Sequence, residues 1–273
     1  MTVNSYLTKL ADAAILRDRE KYLIRRSVDT LTTRLKVYFG TDITEQFIFG
    51  SFRRGTILPR SMDANSDIDY MVVFKERGLR PQTYLDRLRR FVDSYYTRAE
   101  IQQAHPTIQL SLNHIRFELV PATSAFLIGY SIPSRASGYD DWQTTDPRSL
   151  NNDLTEANKA NGSQIKRLVR LVKYWNALQG FPFESFELEK QVVAHGFLGL
   201  RVFGTANLEN YFFQFMEALE TGGWSAPKSR RVKIENLHKT LKAARQAKRS
   251  RNFDHAERII KGLLPPTKSM LTA

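Results

Sequence analysis

The chain has 273 residues, 42% of them hydrophobic and 11% aromatic, and a net charge of +13. That is enough apolar material for one large domain or two small ones, while no apolar run of about 18 residues is long enough for a membrane helix. The absence of cysteine excludes disulfides and thiolate zinc sites and, with no signal-peptide core between Met1 and Asp18, points to a cytoplasmic protein.

Residues from Ser5 to about Phe39 read as one helix. Leu23, Ser27, Leu31 and Leu35 recur at four-residue spacing and Gly40 stops the run. Glu45–Phe49 reads as a short strand ending in Gly50-Ser51, and Asp67–Phe74 as a second strand rich in β-branched and aromatic residues. Pro81–Tyr96 returns to helical spacing through Tyr84, Leu85, Leu88, Phe91 and Val92. Thr107–Leu112 and Ile115–Val120 read as strands joined at Asn113-His114. In the second, Ile115, Phe117 and Leu119 face one way, Arg116 and Glu118 the other, and Pro121 ends it. Ser131–Leu150, with Pro133, Gly138, Trp142 and Pro147, reads as loop and holds the boundary between two lobes.

The second lobe reads as helical. Ser163 is expected to cap a helix running through Lys173-Tyr174-Trp175 to Gly180, with Ile165, Leu168, Val172 and Trp175 as its apolar stripe and Lys166, Arg170 and Lys173 off it. Further helices are expected at Leu188–Val202, Leu208–Leu219, Ile234–Ala247 and His255–Leu264, after which Pro265-Pro266 releases a tail. Lys228–Lys261 contains 12 Lys/Arg against 3 Asp/Glu, a concentration that suits polyanions but equally an ordinary solvated helix face. The predicted class is α+β: a lobe with a mixed twisted sheet over residues 1–140, a helical lobe over 141–266 and a flexible tail over 267–273, with the active site in a cleft between the lobes.

The chemistry concentrates between Phe47 and Phe74. A Gly-Ser turn lets backbone N–H groups approach a phosphate closely. Asp67 and Asp69, two apart on a strand, point to the same face. Glu118 interrupts an apolar strand and supplies a third acid. Nucleotidyl transfer asks mainly for positioning and charge neutralisation, and two Mg²⁺ or Mn²⁺ ions about 4 Å apart, held by bridging carboxylates, supply it. The bland alternative makes Asp67 a turn residue, Asp69 a strand-edge charge and Glu118 a partner for Arg116. The combination of turn, D-x-D and later acid outweighs it.

The region resembles the DNA polymerase β-like nucleotidyltransferase superfamily. More narrowly, F-G-S-F-R-R-G-T-I-L-P-R, S-D-I-D-Y-M-V-V-F and R-F-E-L-V-P-A are similar to the bacterial cGAS/DncV-like nucleotidyltransferases (CD-NTases) with a SMODS-type catalytic domain. W-Q-T-T-D-P, I-K-R-L-V-R-L-V-K-Y-W-N and S-F-E-L-E extend the likeness over roughly residues 1–220. The resemblance implies a template-independent synthase that condenses NTPs, ATP or GTP or both, into a cyclic di- or trinucleotide messenger of antiphage (CBASS) signalling. It implies Asp67, Asp69 and Glu118 as metal ligands, and Gly50, Ser51, Lys173 and Ser185 as phosphate contacts. The family's third acid is usually Asp, so Glu118 is one methylene longer; a helix N-cap is the alternative role for Ser185, and a surface lysine that for Lys173. The resemblance also implies an effector that binds the product and a conjugation enzyme acting on a C-terminus such as Ala273. DNA activation is not expected, because the animal relative's Cys/His zinc insertion has no counterpart in a chain without cysteine. Transfer onto RNA 3′ ends or a protein is the competing activity.

Overall fold

The computed structural model describes residues 2–96, 100–104, 107–126, 128–134, 141–197, 206–222 and 226–271. The chain forms two compact units and passes between them four times: Leu16–Ile57 with Asn65–Asn151 make a sheet unit, and Met1–Ile15, Leu58–Ala64 and Asn152–Ala273 a helical one. The single cut expected near residue 140 is therefore replaced by a border at 151/152 and by two N-terminal pieces that join the helical unit.

The first of those pieces explains a correction. The helix predicted from Ser5 to Phe39 is two helices, α1 (Val3–Ala13) and α2 (Asp18–Phe39). The Thr2 hydroxyl accepts from Ser5 N (3.2 Å) at the start of α1, and the Glu20 carboxylate accepts from Arg17 N (2.8 Å) at the start of α2. The apolar faces serve different cores. Val3, Tyr6, Leu7, Leu10 and Ala11 are buried in the helical unit, whereas Ile24, Val28, Leu31, Leu35 and Phe39 are buried in the sheet unit.

The sheet unit continues with β1 (Ile43–Ile48), α3 (Gly50–Arg54), β2 (Asp67–Phe74), α4 (Pro81–Tyr95), β3 (Glu100–Ala104), β4 (Thr107–Ser111), β5 (Arg116–Ser124), β6 (Tyr130–Pro133) and β7 (Trp142–Thr145). The strand order is β1-β2-β5-β4-β3, with β6 paired to β5 and β7 to β6. β2 and β5 run parallel and every other pairing is antiparallel, the mixed sheet that was expected. Alternation sorts the side chains. Ile68, Tyr70, Val72 and Phe74 of β2 and Phe117 and Leu119 of β5 enter one core with residues of α2 and α4. Met71, Val73 and Ala122 belong to a separate small cluster with Tyr130, Phe47 and Phe49. The acids share the parity of that second set.

Strands β3, β6 and β7 are additions to the reading. The last two occupy part of the segment expected to be loop, whose residues 135–140, Gly138 among them, lie outside the described residues. β5 also runs through Pro121 to Ser124. β4 pairs only as far as Leu119 and β6 begins at Thr123, so Pro121 has one side with no ladder for its missing N–H to break.

The helical unit adds α5 (Ser149–Ala160), α6 (Ile165–Leu178), α7 (Ser185–Ala194), α8 (Leu208–Ala218), α9 (Lys228–Arg249), α10 (Phe253–Leu263) and α11 (Lys268–Leu271). Its core packs Leu7 and Leu10 of α1 and Leu58 and Met62 of the short second piece with Leu168, Val172 and Trp175 of α6 and Leu237 and Leu241 of α9. Ser163 does not cap α6. It sits at φ +63°, and the orphan N–H of Lys166 is taken by Asn158 Oδ1 (2.9 Å) instead. α7 covers the first part of the helix expected over Leu188–Val202, while residues 198–202 lie outside the described residues.

The end of the chain is tied down as far as Leu271. Tyr6 Oη donates to Leu264 O (2.5 Å) and Tyr174 Oη to Pro265 O (3.2 Å); Thr267 is buried and Met270 packs on the core. Pro265-Pro266 thus does not release a tail there, and Ala273 lies outside the described residues. The basic run is partly consumed internally. Arg245 pairs with Glu217, Lys248 with Glu209 and Lys261 with Glu257, while Arg230 and Lys233 donate to the carbonyls of Pro182 and Gln179.

Candidate active site

β1 and β2 pair in opposite directions, with Ile48 opposite Tyr70, and Phe49 N donates to Asp69 O (3.0 Å). The chain therefore leaves the sheet at Gly50, beside the start of β2. Gly50 has φ +66°, a conformation that L side chains rarely adopt. A Cβ added there would lie 1.7 Å from Asp69 Oδ2. The carboxylate of Asp69 rests directly on the turn, and only glycine leaves it room. Ser51 opens the tight bend behind it: its carbonyl accepts from Thr56 N (2.9 Å) and Ile57 N (3.1 Å), and Gly55, in the left-handed region, closes the five-residue helix.

β2 and β5 place the acids. Their parallel register sets Asp67 beside Arg116 and Asp69 beside Glu118. Arg116 Nη2 lies 3.3 Å from Asp67 Oδ2 and donates to Asn65 O at 2.7 Å. Arg116 therefore serves Asp67, not Glu118. On the other side of β5, β4 sets Gln109 beside Glu118, and Gln109 Nε2 donates to Glu118 Oε1 at 2.9 Å.

The charge balance of this face is negative. Burial first, then the charges of Asp69 and Glu118, push the Asp67 carboxyl up to about 8, and the Arg116 guanidinium offsets this only in part. Three carboxylic acids lie on adjacent strands with one guanidinium paired to Asp67, and the donor set fits a divalent cation in chemistry: hard oxygen ligands. The side chains diverge, Asp67 to Arg116, Asp69 to the Gly50 turn and Glu118 to Gln109. Among the described residues no three His, Asp or Glu side chains stand grouped to close around one ion.

The structure thus brings together Gly50, Ser51, Asp67, Asp69 and Glu118 in the sheet unit. Lys173 and Ser185 belong to the helical unit. Lys173 is 6% exposed within α6, so it is not a surface lysine; its neighbour Arg170 is equally buried and donates from Nε to Ala11 O (3.1 Å), and burial lowers its pKa to about 10. Ser185 is the first residue of α7 and half-buried, with Glu184 in the cap position, so the capping role does not fall to the serine. The contacts of Gln109 and Arg116 are what sequence reasoning missed. A hairpin centred on Asn113-His114 puts Gln109 opposite Glu118 by counting alone, so the first was within reach.

The α+β architecture is polymerase β-like, and solved structures agree in fold. Escherichia coli MS115-1 CdnC, determined with ATP, superimposes with a TM-score of 0.64 at 16% identity, covering 98% of this chain and 94% of that one. The Bradyrhizobium diazoefficiens CD-NTase CdnG in complex with GTP gives 0.65 at 13% identity, covering 96% and 98%. The profile of the Second Messenger Oligonucleotide or Dinucleotide Synthetase (SMODS) domain matches residues 1–158, and the chain belongs to that family. A probable cyclic nucleotide synthase of Bacillus cereus strain VD146 is 31% identical over 194 residues, 58% of this chain; the match spans just over half of that relative's length, 56%.

Proposed function

We propose that the chain condenses NTPs, without a template, into a cyclic di- or trinucleotide and releases pyrophosphate. The carrying observation is the seating of the Asp69 carboxylate on the Gly50 turn, with Asp67 and Glu118 on the same face. It sets a glycine turn against the acid-bearing face of the sheet. Membership of a second-messenger synthetase family, and relatives solved with ATP and GTP, support the same reading.

In this reading the backbone at Gly50 and Ser51 receives the donor phosphates, with Lys173 and Ser185 as further phosphate contacts. Asp67, Asp69 and Glu118 would hold two Mg²⁺ or Mn²⁺ ions, which when bound neutralise charge on the triphosphate and the departing pyrophosphate. A ribose hydroxyl oxygen of one nucleotide bonds to the α-phosphorus of the other as the bond to pyrophosphate breaks. In this reading Glu118 takes the hydroxyl proton through the oxygen that Gln109 does not engage. A second transfer, after the linear intermediate rebinds, closes the ring. The product's partner is an effector of antiphage signalling, and a conjugation enzyme acting on the C-terminus is a further proposed partner.

Purified protein incubated with labelled NTPs and Mg²⁺ or Mn²⁺ should yield a phosphatase-resistant small product, absent from Asp67→Ala. Failure to form it in every NTP mixture overturns the reading. Label appearing in added tRNA or protein instead would establish the competing activity, transfer onto RNA ends or a protein target.

A further inference from the structure

We infer that Gln109 is the positioning residue for the third acid, and that it adapts the site to a glutamate. The inference rests on the proposed metal-holding role of Glu118. Gln109 and Glu118 are direct cross-strand partners of β4 and β5, both half-buried, joined by a 2.9 Å bond from Nε2 to Oε1. Their side chains share the acid-bearing side of the sheet, because alternation puts the flanking Ile108, Leu110, Phe117 and Leu119 into the opposite core.

Glu118 needs such a partner for two reasons. It has three side-chain torsions, so its carboxylate is less fixed by the strand than that of an aspartate. It also lies opposite Asp69, within electrostatic reach of Asp67, and like charges drive it from the position where it is useful. An amide N–H answers both. It donates to the carboxylate and holds one oxygen while the other stays available. A lysine or arginine there would compete with a bound cation; a neutral amide does not.

The length of the acid is what makes the pair. Shortening Glu118 to aspartate withdraws the carboxylate by more than about 1 Å, which takes a 2.9 Å contact beyond hydrogen-bonding range. Gln109 therefore acts on a glutamate and is silent toward an aspartate. Partners that orient a metal-holding carboxylate are worth about 10–100-fold in metal affinity.

The test is Mn²⁺ binding, by electron paramagnetic resonance or calorimetry, without nucleotide. Wild type, Gln109→Met, Glu118→Asp and the double variant are compared, with Asp67→Ala as reference and thermal melts to confirm folding. Gln109→Met, which keeps length and loses the amide, should weaken Mn²⁺ about tenfold in wild type and change nothing in Glu118→Asp. Gln109→Asn, a second route should methionine perturb the strand, should behave alike. Equal binding by wild type and Gln109→Met, or an equal loss in the Glu118→Asp background, overturns the inference. Equal binding by wild type and Asp67→Ala sinks the metal reading itself, and this inference with it; tight wild-type binding that Gln109→Met leaves untouched sinks only the inference.

Discussion

The contact between Gly50 and Asp69 ties backbone conformation to charge placement at a single residue. Gly50→Ala introduces a Cβ that must displace the Asp69 carboxylate in a backbone conformation alanine resists. The variant should stay folded, as its neighbours are half-buried, yet lose about 100-fold in the initial rate of NTP incorporation, the scale of an ångström misplacement. Asp67 makes a second prediction. Its folded pKa is raised from 3.8 to about 8. Between those values the folded chain holds a proton that the unfolded chain has released, so this group's contribution to stability falls as pH rises from about 4 to 8 and is level above. In EDTA, Asp67→Asn should melt close to wild type near pH 4 and increasingly above it toward pH 8; a constant difference across that range would contradict the assignment. Asp67, Asp69 and Glu118 were legible because each breaks or opens an apolar strand. The partner of Asp67 was not, since Arg116 stands two residues before Glu118 on the same strand face while its pairing depends on the register between β2 and β5.

At the scale of elements, β2 was readable because Tyr70 to Phe74, buried one after another, form an apolar run rich in β-branched and aromatic residues directly after Asp67-Ile68-Asp69. β3, β6 and β7 were not. They have only 5, 4 and 4 residues, too few for a period of two to stand out, and sheet pairing defines them. The break between α1 and α2 was hidden for a different reason. Ala14-Ile15-Leu16-Arg17 carries neither glycine nor proline, and what ends α1 is the divergence of the two apolar faces into separate cores. That assigns α1 a clear duty. Leu10 is fully buried in the helical unit, so Leu10→Ala should cost about 2–5 kcal/mol by urea titration. Hydrogen exchange should quicken in α6, which α1 packs against, before it does in β2 and β5.

At the scale of the molecule, the helical unit is assembled from three stretches of chain. The fragment 152–273 retains α6 to α10 but lacks α1 and Leu58–Ala64, so the space filled by Leu7, Leu10, Leu58 and Met62 opens to water. Such a fragment should melt without a cooperative transition by circular dichroism, whereas the helical unit within the whole chain should melt cooperatively. The same threading bears on inheritance. A single recombination event at the 151/152 border would give a descendant the body of one parent's helical unit and the first helix of the other's. The surviving offspring would be those in which the residues of α1 facing α6 matched across the join. In this chain the segments that fold together are not the segments that travel together in a gene.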